Sequence, residues 1–297
     1  MEHSRHLACT LPQAGRPRAF DGPTTRSDNG VMDPPARLDA AGVRAGGEQP
    51  PVYDRIGERY TVTRQPDPRI AAAIGAALGD ARTVVNVGAG AGAYEPRDRR
   101  VVAVEPSRAM IGQRPAGAAP CIQATAERLP FRDRAVDASL AVLTVHHWTD
   151  QAAGLGELRR VARRRVVVLT WDPACRGGFW LTTDYFPEIV DVDLPRFAPL
   201  AVLEGSLGAV RAIPVLIPHD CQDGFLGAFW RRPEAYLDPA VRGGISSFGQ
   251  IAPEHVERGV ARLADDLRSG CWEARHADLR GRESLDLGYR LLVAERG

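Results

Sequence analysis

The chain has 297 residues, a formal net charge of +1 and a hydrophobic fraction of 44%. That length suffices for one large core, or a core with an attached lobe, and a balance so near neutral gives no general attraction to nucleic acid or to an anionic membrane. No run approaches the ~18–20 apolar residues that span a bilayer, the N-terminus lacks a secretory pattern, and five scattered cysteines without a C-x-x-C pair point to reduced thiols in the cytoplasm rather than to disulfides or zinc.

Residues 1–50 read as a disordered tail, with Met32 a candidate later start. Twelve of them are Pro or Gly and no apolar period persists, so burial cannot offset the ordering entropy. A folded domain is expected over 51–297. "PDPRIAAAIGAALGDA" predicts a helix capped by Asp67, with Pro68 in the first turn, Gly79 at the end and Ile70, Ile74 and Leu78 inward. Strands are predicted at 83–88, 100–106, 120–125, 136–145 and 165–171, each a short β-branched apolar run, and two more at 211–220 and 286–295 complete the chain. A helix over 150–164 should bury Leu155, Leu158 and Val161. Another over 253–270 presents Val256, Val260, Leu263 and Leu267 on one face and ends at Gly270. This alternation predicts an α/β fold: a doubly wound, mostly parallel seven-stranded sheet with a large insertion late in the chain.

The first strand runs into "NVGAGAG", residues 86–92, whose spacing is G-x-G-x-G. The dinucleotide fingerprint places its third glycine three residues after the second, and the phosphate loop needs a following lysine; the turn fits neither. It also fits a tight strand-to-helix turn that holds nothing. The next strand ends in Glu105, 17 residues after Gly88, and a carboxylate at that tip can accept both hydroxyls of a ribose. An unpaired charge closing a buried run would otherwise be costly.

Four motifs in order, "NVGAGAG" (86–92), "VVAVEPS" (101–107), "TAERLPF" (125–131) followed by Asp137, and "LTVHHWTD" (143–150), resemble the class I S-adenosylmethionine-dependent methyltransferases, in particular their small-molecule type 11 group. The resemblance covers residues 53–171 well and the last two strands loosely. It implies S-adenosylmethionine as cofactor and methyl transfer to a small acceptor. It further implies that Gly88, Ala89 and Gly90 bring backbone to the cofactor and that Glu105 binds the ribose. Ser107, Met110, Thr125 and Ala126 would border the adenine, and Leu143 would line the floor near the sulfonium. Asn86 stands where an acid is usual, Thr125 where an Asp is common, and Arg163-Arg164 replace the usual turn before the fifth strand. Two other readings stay open: a protein of this fold that binds the cofactor without transferring methyl, as a cyclase or regulator, and a nicotinamide-dependent oxidoreductase.

His146, beyond the fourth strand, is the candidate base; packing against its neighbours is the alternative. His219 with Asp220 and Asp223 could face the pocket or a metal, although no third ligand is evident and no metal is assigned. Segments 172–210 and 219–285 are expected to be lid or substrate insertions, with Trp180, Tyr185 and Trp230 as substrate contacts beside Phe179 and Phe225, although a lid also needs aromatics for its own small core. Tyr53, Tyr60, Arg64 and Arg69 lie N-terminal to the sheet, where an arginine could pair a carboxylate of the cofactor.

Overall fold

The computed structural model describes residues 64–296; the proposed tail, Tyr53 and Tyr60 lie outside them. Asp67 accepts the backbone N–H of Arg69 and opens helix α1 (Pro68–Leu78), which Gly79 closes at φ 56°. The sheet strands follow as β1 (Thr83–Val87), β2 (Arg100–Val104), β3 (Cys121–Ile122), β4 (Val136–Val142), β5 (Ala162–Trp171), β6 (Val210–Pro214) and, after a small hairpin of β7 (Ile217–Pro218) and β8 (Ser284–Leu285), β9 (Tyr289–Glu295). The seven-stranded sheet has the order β3-β2-β1-β4-β5-β9-β6, and β9 runs antiparallel to both of its neighbours. The doubly wound, mostly parallel expectation holds.

Side-chain alternation divides the core into two layers. Val84, Leu140, Val167 and Leu291 face α1 and the aromatic residues of the insertion. Val85, Ala141, Val168 and Leu292 face helix α3 (Gln151–Val161), whose Leu155, Leu158 and Val161 point inward as expected.

Several boundaries differ from expectation for physical reasons. β4 ends at Val142 because Leu143 turns into the left-handed region at φ 49°. The predicted strand 120–125 pairs over Cys121–Ile122 alone, at the sheet edge. The predicted strand 211–220 is two elements: Val210–Pro214 belongs to the large sheet, and Ile217–Pro218 pairs with β8. Segment 172–210 is also not all insertion. It contains helix α4 (Pro187–Asp193) and helix α5 (Leu200–Leu207), and Leu203 and Leu207 of α5 pack into the second layer as the crossover that leads to β6. Beyond β7 come the short α6 (Pro239–Gly243), the amphipathic α7 (Pro253–Ser269), closed by Gly270 in the left-handed region, and α8 (Cys271–His276).

Candidate functional site

The C-terminal ends of β1, β2, β4 and β5 come together on one edge, where ligands of open α/β sheets bind. Asp137 of the third motif lies at the other end, near the start of β4. It accepts the backbone N–H groups of Arg82 and Thr83 and so staples β4 to β1.

The glycine turn is held from three sides. Gly88 and Ala89 donate to the carbonyl of Val104 at 2.9 and 3.1 Å. Gly90 N–H donates to Glu105 Oε2 at 2.8 Å, and Ser107 N–H donates to Oε1 at 3.0 Å. Arg114 Nη1 donates to the Gly90 carbonyl at 3.1 Å, while its Nη2 pairs with Glu95 at 2.6 Å. Gly88, Gly90 and Gly92 all have φ between 53° and 96°, a region that L side chains avoid. A Cβ on Gly88 would lie 2.0 Å from Thr144 Oγ1, and one on Gly90 would lie 3.2 Å from Met110 Cε. The first glycine therefore admits the tip of β4, and the second admits Met110.

Around this turn, Asn86 is buried on β1 and its Oδ1 has no hydrogen-bond partner. Ser107 caps helix α2 (Arg108–Gly112) by accepting the N–H of Met110, and both residues are buried. Ala126 is buried and Thr125 is exposed beyond β3. The structure thus brings Asn86, Gly88, Ala89, Gly90, Glu105, Ser107 and Met110 to one turn.

A cavity of about 90 Å³ opens beside Leu143, between the tips of β4, β5 and β9. His146, His147 and Trp171 line it from the sheet side, Phe179, Asp193 and Phe225 from the insertion, and Arg64 from the N-terminal side. His146 stacks on Phe197, with centroids 4.1 Å apart, and its Nδ1 has no partner. Burial first, then His147, Arg196 and Arg64, push the His146 imidazole well below its ordinary range. Burial and the same two arginines hold His147 at about 4. Both rings are neutral at pH 7.

The aromatic residues of the insertion divide. Phe179 and Phe225 line the cavity, whereas Trp180, Tyr185 and Trp230 are not among its lining residues. Trp180 donates to the Trp230 carbonyl at 2.8 Å, Trp230 to the Ile217 carbonyl at 2.9 Å, and Tyr185 to Asp266 Oδ2 at 2.8 Å. These polar handles point into the packing of the insertion, and the three residues are its core.

His219, Asp220 and Asp223 do not converge. His219 stands beside Glu283, Asp220 pairs with Arg69 at 2.7 Å, and the fully buried Asp223 pairs with Arg64 at 2.7 Å. Tyr94 donates to Asp223 Oδ2 at 2.9 Å and accepts the backbone N–H of Asp67 at 3.3 Å. This network, and the Arg114–Glu95 pair, carry no sequence signal, because their members lie 19 to 159 residues apart. Among the described residues no cluster suits a metal ion, and no helix is long and apolar enough to cross a membrane.

Residues 85–170 match a family model described as a methyltransferase domain. A crystal structure from Anabaena variabilis ATCC 29413, of a candidate methyltransferase from an antibiotic biosynthesis pathway, is 35% identical with a TM-score of 0.72, over 78% of this chain and 98% of that one. Geranyl diphosphate C-methyltransferase from Streptomyces coelicolor A3(2), solved with Mg2+, geranyl diphosphate and S-adenosyl-L-homocysteine, is 17% identical with a TM-score of 0.44, over 77% of each chain. The [4+2]-cyclase SpnF is 14% identical with a TM-score of 0.39, over 82% of this chain and 80% of that one. No curated protein matches the sequence. The chain belongs to the class I S-adenosylmethionine-dependent methyltransferases, and S-adenosylmethionine is its cofactor.

Proposed function

We propose that the protein transfers a methyl group from S-adenosylmethionine to a small-molecule acceptor held in the cavity beside Leu143. The observation that carries this reading is the position of that cavity: its wall includes Leu143 at the tip of β4, whose neighbour Thr144 packs at Gly88 of the glycine turn, and residues of the insertion line its other side. The residues of the turn fit the cofactor. Asn86 Oδ1 is a buried acceptor without a donor. Glu105 is aimed by the backbone N–H groups of Gly90 and Ser107, and a carboxylate, with about four lone-pair sites, suits ribose hydroxyls. Met110 and Ala126 offer apolar surface to an adenine ring.

When bound, S-adenosylmethionine supplies a methyl carbon already activated by positive sulfur. The protein's task is alignment and exclusion of water, and alignment alone can supply several kcal/mol of rate advantage. Leu143 and Phe179 form apolar walls to the cavity. The neutral His146 ring can accept a proton-bearing group of the acceptor at Nδ1, which orients that group and disperses its proton as the methyl is received. Segments 172–199 and 219–283 act as the lid, with Phe179 and Phe225 as its inner surface.

The test is formation of S-adenosylhomocysteine when the protein is incubated with labelled S-adenosylmethionine and fractionated small-molecule extracts. Labelled product in an acceptor fraction is expected. Tight cofactor binding without transfer in any fraction would instead favour a non-transferring member of the fold.

A further inference from the structure

We propose that Asp193, supported by Ser247, anchors a positively charged amine on the methyl acceptor, so that the substrate class is a small amine with an apolar or aromatic body. This rests on the reading of the cavity as the acceptor site.

Asp193 is poorly placed for stability. It ends α4, where the helix dipole disfavours an anion, and it is only 8% exposed. Burial pushes its carboxyl up, against the lowering effect of Ser247 and Arg196. Among the described residues it makes no salt bridge; Ser247 Oγ donates to Oδ2 at 2.9 Å, and Oδ1 has no hydrogen bond. A buried carboxylate without a cation is costly, and its side chain lines the cavity.

None of the cations nearby forms a salt bridge with it. Arg64 is paired with Asp223, Arg176 is exposed at the rim, Arg196 three residues on acts on the carboxyl only through its charge, and His146 and His147 are neutral. What the cavity offers an incoming group is therefore one carboxyl without a salt bridge, an unpartnered polar atom at His146 Nδ1, and the aromatic surfaces of Trp171, Phe197, Phe225 and Tyr289. An ammonium brings three donors and one charge, and aromatic faces attract it further. An alcohol would satisfy a hydrogen bond but not the charge, and a carboxylate ligand would be repelled.

The experiment titrates the full-length protein, saturated with S-adenosylhomocysteine, with matched pairs: butylamine and butanol, benzylamine and benzyl alcohol, 2-phenylethylamine and 2-phenylethanol. At least one amine should bind about tenfold or more tighter than its alcohol, as a charge-assisted hydrogen bond predicts. Asp193→Asn should remove most of that preference, and Ser247→Ala part of it, with affinity for S-adenosylhomocysteine unchanged in both. Ser247→Ala guards against a folding defect in the first variant. Amines that bind no tighter than their alcohols in every pair, or a preference that survives in a folded Asp193→Asn protein, would overturn the assignment and leave the methyltransferase reading intact. Failure of the wild-type protein to bind S-adenosylhomocysteine would remove both.

Discussion

Gly90 N–H donates to Glu105 Oε2 at 2.8 Å, so the carboxylate at the tip of β2 shapes the glycine turn as well as facing the space beyond it. Glu105→Ala should lose both roles. Affinity for S-adenosylmethionine is expected to fall by about 1.5–3 kcal/mol, the range for hydrogen bonds to a charged group. Calorimetry on the folded variant checks this; unchanged affinity would sink the ribose assignment. Glu105→Gln keeps the shape but offers only one oxygen, and should fall between the two.

The side of Gly88 that would carry a Cβ faces Thr144. Gly88→Ala meets both a left-handed φ and the Thr144 hydroxyl, and should cost about 1–3 kcal/mol of stability. Thr144→Gly removes the clash but not the φ strain, so the double variant should lose less than the sum of the two singles. Denaturant unfolding of all four proteins measures the coupling. Strict additivity would show that the turn adapts without touching β4.

Two pairs of aromatic substitutions separate cavity from core. Phe179→Ala and Phe225→Ala should lower acceptor kcat/KM while cofactor affinity changes little. Trp180→Ala and Trp230→Ala should instead lower stability by about 3–5 kcal/mol, with every function failing together. Loss of turnover in a fully stable Trp230→Ala protein would place that ring at the acceptor after all.

Acid should destabilise the protein in two steps. His147 is held at about 4, below the ordinary 6.5, so the unfolded chain binds more protons between those values. Stability then falls as pH drops from 6.5 to 4, with His147 contributing up to about 3 kcal/mol and His146, pushed down by burial in the same way, adding to the fall. Burial alone would raise the Asp67 carboxyl, but the Arg69 side chain, the backbone N–H groups of Gln222 and Arg69, and the Arg69 charge hold it at about 2, below 3.8. Its contribution of about 2 kcal/mol is present above pH 4 and is lost as pH falls toward 2. Urea unfolding across this range should show the first slope flattened in His147→Gln and the second in Asp67→Asn. Parallel pH profiles in wild type and variants would rule out both groups as the source.

What the sequence made legible is what local chemistry encodes. Asp67 and Gly79 bracket α1 because a cap and a left-handed stop act within one turn. The glycine spacing and Glu105 were readable together because strand tips in a doubly wound sheet must meet at one edge. The insertion was not readable in this way. Trp180 and Phe179 are adjacent in sequence, yet one hydrogen-bonds inside the core and the other lines the cavity. No period decides between them, since the direction of each ring is set by partners such as Trp230, which lies 50 residues on. Asp193 carries no sequence signal for the same reason: an acid at a helix end reads as solvated, and only the packing of α4 buries it.

The placement of β9 has a kinetic consequence. It lies between β5 and β6, and within the large sheet β6 pairs with β9 alone. As the chain emerges in order, β6 cannot dock until a strand some eighty residues later has arrived, and β5 presents an unpaired apolar edge meanwhile. Closing so long a loop is slow, and an open edge invites pairing with another chain. Refolding should therefore show a concentration-dependent loss of yield, relieved by adding β9 as a separate peptide.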